Sequence, residues 1–105
     1  MTNETENANT GDDTKEFHLH LVSDATGETI HSVARACLSQ FEGVDPHEHH
    51  WTLVRTTGHV DKVLASVSDN PGVVMFTIVN DPLRRALETG CRSLGVPCIP
   101  VLDPV

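Results

Sequence analysis

Four short apolar runs alternate with three apolar stripes at helical spacing, and that alternation restricts the chain to a narrow set of folds. Ile30, Val33, Ala34, Cys37, Leu38 and Phe41 recur at the i, i+3, i+4, i+7 spacing of one helix face. Val60, Val63, Leu64 and Val67 mark a second helix, and Leu83, Leu87, Cys91 and Leu94 a third. Between them lie strand-like runs: Phe17–Val22, Trp51–Arg55 with a possible start at His47, the β-branched stretch Val73–Val79, and Val96–Leu102. Short connections and right-handed crossovers turn a βαβαβαβ chain into a parallel sheet with helices on both faces.

The strand order follows from two features. The third run is the most continuously apolar, which predicts a central strand buried on both faces. Pro97 and Pro100 remove backbone donors from the fourth, which predicts an edge. A three-layer, flavodoxin-like sheet of order 2-1-3-4 satisfies both. Its topological switch point lies between strands 1 and 3, where open α/β sheets hold ligands at the carboxyl ends of their strands. Three segments converge there: Ser23–Thr29, Arg55–Gly58 and Asn80-Asp81.

Local punctuation fits the same frame. Gly43 and Pro46 are the expected stop for the first helix, and Thr57 is the expected cap of the second. "DNPG" at 69–72 reads as a turn. Asp81-Pro82 supplies a cap and a proline at the first helical position, and Gly95 a C-terminal stop.

The loop Ser23–Thr29 carries anion-binding chemistry. Gly27 permits close backbone approach, Ser23, Thr26 and Thr29 offer hydroxyls, and a helix N-terminus offers N–H groups and a positive dipole end. It superficially resembles the S-x-T-G-x-T phosphate loop of flavodoxins. Asp24 and Glu28 oppose a bare phosphate unless a metal or Arg55 intervenes. The alternative is local: Thr26 caps the helix, Glu28 complements its dipole, and Gly27 only makes the turn. The loop alone leaves both readings open.

Composition narrows the function classes. The net charge of −8, without a lysine/arginine cluster, argues against nucleic acid and anionic membrane as partners. Residues 1–16 contain no apolar side chain larger than alanine after Met1, so a disordered acidic tail is expected before a domain at 17–105. Three cysteines without a C-x-x-C pair suit a reduced, cytoplasmic protein, with Cys37 and Cys91 acting as small hydrophobes on their stripes. No export signal or membrane-spanning stretch is evident. One Trp, three Phe and no Tyr disfavour a flavin sandwich. His18-x-His20 and His47-x-His49 each put two imidazoles on one strand face, and neighbouring strands make a zinc cluster geometrically possible. The pairs are expected toward the amino ends of their strands, with no cysteine or carboxylate at recognised spacing, so no metal is expected there. No nucleophile–base motif, dinucleotide fingerprint or phosphate-binding P-loop occurs in the chain.

The blocks "EFHLHLVSDATGETIHSVARACLSQFEG", "HWTLVRT", "PGVVMFTIVNDPLRRAL" and "GVPCIPVLDPV" resemble, in order, the start of the pyruvate, phosphate dikinase regulatory proteins, a family that includes regulators of phosphoenolpyruvate synthase. The resemblance covers residues 16–105. It implies a bifunctional serine/threonine kinase and phosphorylase. Such an enzyme phosphorylates a threonine of the dikinase or synthase with ADP as donor, and removes it with inorganic phosphate, releasing pyrophosphate. The family's P-loop lies downstream of the matched region. The resemblance therefore implies an amino-terminal α/β domain that is catalytically incomplete by itself, binds no cofactor alone, and leaves ADP and phosphate to the complete enzyme. A homodimer is a further possible assembly. The candidate anion or partner surface is Ser23, Asp24, Thr26, Gly27, Thr29 and Arg55. A non-enzymatic flavodoxin-like ligand module is the alternative.

Overall fold

In the computed structural model, residues 15–40 and 44–101 are described, with side chains from 17–40 and 46–101. The elements run β1 (Lys15–Ser23), α1 (Glu28–Leu38), β2 (Val44–Trp51), α2 (Thr57–Asp69), β3 (Gly72–Thr77), α3 (Asp81–Leu94) and β4 (Cys98–Pro100). All strand pairs are parallel and the order is β2-β1-β3-β4, as the prolines and the apolar third run require. β4 is short and sits at the edge, where Pro97 contributes its carbonyl to Val74 N–H rather than a donor.

The sheet separates two apolar layers. Val22, Val74 and Phe76 face α2 and α3 and pack with Val60, Val63, Val67, Leu83, Leu87 and Cys91. Leu19 and Leu21 face α1 and pack with Ile30 and Ala34. One helix covers this second face, so Val73 and Met75 are only partly buried there. The expectation that β3 would be the strand buried on both faces is therefore corrected. β1 takes that place, with every residue from Leu19 to Ser23 buried.

Several boundaries also differ. β2 starts at Val44 and ends at Trp51, so the expected strand Trp51–Arg55 is mostly a connection. Its sequence, VDPHEHHW, hides a strand because its middle, His47–His50, is polar and it includes Pro46. An edge strand pairs on one side only, which accommodates both. α1 ends at Leu38, with Ser39 as its C-cap; Phe41, Gly43 and residues 1–14 lie outside the described residues. Cys37 is exposed, not part of the core, whereas Cys91 is buried as expected.

The caps sit one residue earlier than the spacing suggests. Thr56, not Thr57, accepts the His59 N–H at 3.1 Å, and Asn80, not Asp81, accepts the Leu83 N–H at 3.1 Å. Asp81 instead starts α3 and pairs with Arg84 at 3.1 Å. Gly95 closes α3 with φ 73°, as expected. At α1 the N-cap is Gly27, with no side-chain capping bond, so Thr26 does not cap that helix. Thr56→Ala and Asn80→Ala should each cost about 1 kcal/mol. Thermal melts should show this as a shift of about 4–8 °C for a domain of this size. Thr26→Ala should leave the midpoint nearly unchanged.

Candidate functional site

The carboxyl ends of β1 and β3 are tied together by the loop after β1. Ser23 is buried, and its Oγ accepts the Ala25 N–H at 3.0 Å, which folds the loop back on itself. Asp24 Oδ2 accepts the Val79 N–H at 3.0 Å, bridging to the segment after β3. Ala25 and Ser23 carbonyls accept from Leu53 and Val54 N–H, each at 3.0 Å, joining the connection after β2. Arg55 donates its Nε–H to the Asp24 carbonyl at 3.1 Å. Ser23–Thr29 and Arg55 therefore meet, and the segment after β3 is reached at Val79, one residue before Asn80.

Each candidate residue has a distinct position. Ser23 and Asp24 are engaged in holding the loop, so the Asp24 carboxylate is a structural crosslink. Gly27, at φ 88° and ψ 5°, turns the chain into α1. Thr26, Thr29 and Arg55 are exposed around that turn. The first-turn N–H groups of a helix have no intrahelical acceptors, and here no side chain caps them. Leu53 and Val79, 52% and 70% exposed, flank the loop as apolar side chains. Leu53 also holds φ 54°, the only positive φ of a non-glycine residue among those described.

The histidines form a second feature that the spacing showed only in part. The register pairs His18 with His47 and His20 with His49. Ring centroids lie 5.1 Å apart for His18–His47, 5.2 Å for His18–His49 and 4.4 Å for His20–His49. His18 Nδ1 and His49 Nε2 share a hydrogen bond at 3.0 Å. The row lies within the strands rather than toward their amino ends, and His20 is fully buried. His20 Nε2 donates to the Asn70 carbonyl at 2.9 Å, fastening β1 to the turn before β3. Burial holds the His20 imidazole below its ordinary pKa, against the Asn70 bond that raises it. Burial, then the His20, His18, His47 and His50 rings, lower His49.

A lowered folded-state pKa means that the unfolded chain binds protons first as pH falls. Stability is then full above the ordinary histidine pKa of 6.5 and is lost as pH falls below it toward the depressed folded values. Melting midpoints taken from about pH 8 to about pH 5 should decline below that point. His20→Gln keeps a donor for Asn70 but does not titrate, and should flatten the decline. An equal slope in both proteins would assign the acid sensitivity elsewhere.

On the opposite face of β2, Glu48 and His50 project toward α1, where His31 approaches them. Among the described residues, these three have donor atoms within 4.8 Å of one another. An adjoining cavity of about 230 Å³ is lined by His31, His50, Thr26, Gly27, Glu28 and Thr52, among others. The H-x-H spacing does not point to this set. Its one local signal is the period-2 pair Glu48-x-His50; His31 joins it only through the fold. No helix among the described residues is long and apolar enough to cross a membrane.

A parallel α/β sheet whose strand-end loops converge beside an uncapped helix N-terminus defines a class of ligand-handling domains, but not one chemistry. Comparison with known proteins narrows it: the kinase/pyrophosphorylase family model matches residues 19–105, and the chain belongs to that family. It is 64% identical over 91 residues to the pyruvate, phosphate dikinase regulatory protein of Paramagnetospirillum magneticum, covering 87% of this chain and 29% of that protein. Proteins of the same name from Maricaulis maris and Rhizorhabdus wittichii are 56% and 50% identical over 89 residues, each covering 85% of this chain and 32% of theirs. The chain thus spans about three-tenths of the length of these relatives.

Proposed function

We propose that this domain is the amino-terminal part of a regulator that phosphorylates and dephosphorylates a threonine of pyruvate, phosphate dikinase or phosphoenolpyruvate synthase. ADP serves as donor in one direction and inorganic phosphate as acceptor in the other. The observation that carries the reading is the family match across residues 19–105, together with the name of relatives such as the one 64% identical. Within such an enzyme, the Ser23–Thr29 loop and Arg55 meet the phosphate group. Three features support that role: the uncapped α1 terminus, the exposed hydroxyls of Thr26 and Thr29, and the Arg55 guanidinium held beside the loop. The engagement of Asp24 by Val79 N–H reduces the objection that its charge repels an anion. Leu53 and Val79 form an apolar rim against which the target chain lies.

Phosphoryl transfer requires groups that position and neutralise the phosphates, and these 105 residues include no P-loop to do so. The 105-residue chain should therefore neither bind ADP at micromolar concentration nor label a dikinase threonine from radiolabelled ADP, whereas the complete regulator should do both. Failure of the complete regulator to label either target would overturn the reading. Labelling by the 105-residue chain would overturn the assignment of the donor site to another part of the protein.

A further inference from the structure

His31, Glu48 and His50 are not among the residues of the proposed phosphate surface, and their donor atoms lie within 4.8 Å of one another. Two imidazoles and one carboxylate form a donor set suited to zinc-class divalent cations, and three protein ligands leave a position open. Glu48 and His50 are two residues apart on β2, so the pleat places both on the face toward α1. There they stand opposite Leu21 and Leu19, whose side chains pack under α1. His31, in the first turns of α1, comes over the edge of the sheet to meet them.

The distances are close to those a metal needs. Tetrahedral zinc with bonds of about 2.0–2.1 Å separates its donors by about 3.3 Å. His50 Nε2 and Glu48 Oε1 are 3.0 Å apart, and all three donors lie within 4.8 Å. The His31 and His50 rings are 5.5 Å apart and tilted by 43°, so they do not stack face to face. Rotation of the exposed His50 side chain closes the remaining gap, while Glu48, with 18% of its side chain exposed, stays in place. Arg35 lies one turn along α1 from His31, but Glu48 takes its hydrogen bond from His50. That bond would be replaced on binding, because a metal takes the imidazole nitrogen in its deprotonated form.

We propose that His31, Glu48 and His50 form a site for a zinc-class divalent cation, with a fourth position open to the adjoining cavity. The cavity of about 230 Å³ includes His31 and His50 in its wall and extends to Gly27 and Glu28 at the start of α1. It has room for a water or a small anion as the fourth ligand. The three ligands do not rest on the kinase reading, although the cavity beside them is also bounded by Thr26 and Gly27 of the phosphate loop.

Co²⁺ titration of the 105-residue chain tests this, since four-coordinate cobalt gives an intense visible absorption that zinc displaces. One equivalent of Co²⁺ should bind with that absorption and be bleached by Zn²⁺. His31→Ala, Glu48→Gln and His50→Ala should each weaken binding by more than the roughly 10–100-fold that outer-shell changes cost. Their metal-free melting midpoints should match the parent, which separates lost ligation from lost folding. His47→Ala, on the opposite face, should bind as the parent does. Absence of the absorption, binding that survives all three substitutions, or binding lost in His47→Ala would each overturn the assignment, the last by moving the metal to the imidazole row.

Discussion

Gly72→Ala should destabilise the domain by about 3 kcal/mol or more, the upper end of what overpacking costs. Gly72 opens β3 opposite His18 of β1. A Cβ built there would stand 1.8 Å from the His18 carbonyl oxygen and 2.7 Å from its carbon. Both are backbone atoms of a strand at the centre of the sheet, so no side-chain rotation relieves the clash. β1 and β3 must separate or shift, and the shift also strains the His20–Asn70 bond two residues away. A small domain has only about 5–15 kcal/mol of total stability. The thermal midpoint should fall by more than roughly 10 °C. A loss below about 1 kcal/mol would mean that the strands are not held this closely.

Gly27→Val is the second large effect, expected at about 2–3 kcal/mol. The cost has two sources. Gly27 holds φ 88°, a conformation that strains an L-residue by about 1–3 kcal/mol and a β-branched one most. A Cβ would also meet Thr52 Cγ2 at 3.0 Å, so the connection after β2 must give way. Gly27→Asn should cost less in strain, because asparagine visits the left-handed region more readily. Chemical denaturation of the two variants gives the comparison. Equal, small losses would show that the loop relaxes freely around residue 27.

Periodic features of the sequence proved the most legible. The apolar stripes place all three helices, and Pro97 with Pro100 places β4 at the edge, which leaves order 2-1-3-4. β2 was obscured because an edge strand need not be apolar: His47 and His49 go to one face, Glu48 and His50 to the other, and Pro46 sits where a ladder donor is dispensable. The caps at Thr56 and Asn80 were misplaced by one residue because Thr56-Thr57 and Asn80-Asp81 each offer two competent side chains in succession. Only the backbone geometry decides which of them bonds to the residue three positions on.

The candidate site was legible in outline and not in detail. Ser23–Thr29, Arg55 and the segment after β3, at Val79, come together because strand ends at a switch point must. That Asp24 would cross-link to Val79, rather than project as a free charge, depends on a contact across 55 residues of chain. The histidine row and the His31–Glu48–His50 set are equally non-local. H-x-H reads as one strand face, but which histidines meet depends on the register His18↔His47 and on where α1 crosses β2.

The loop after β1, with Arg55, is proposed to meet the phosphate group in the complete regulator. Arg55→Gln tests it most directly. Arg55 is exposed and makes one hydrogen bond, to the Asp24 carbonyl, so its replacement should leave the melting midpoint nearly unchanged. Steady-state kinetics of phosphate-dependent dephosphorylation in the complete protein should show KM for inorganic phosphate raised by roughly tenfold or more, the loss of one charge-assisted contact. An unchanged KM for phosphate in a normally folded Arg55→Gln enzyme would contradict the claim and leave the loop as a turn that starts a helix.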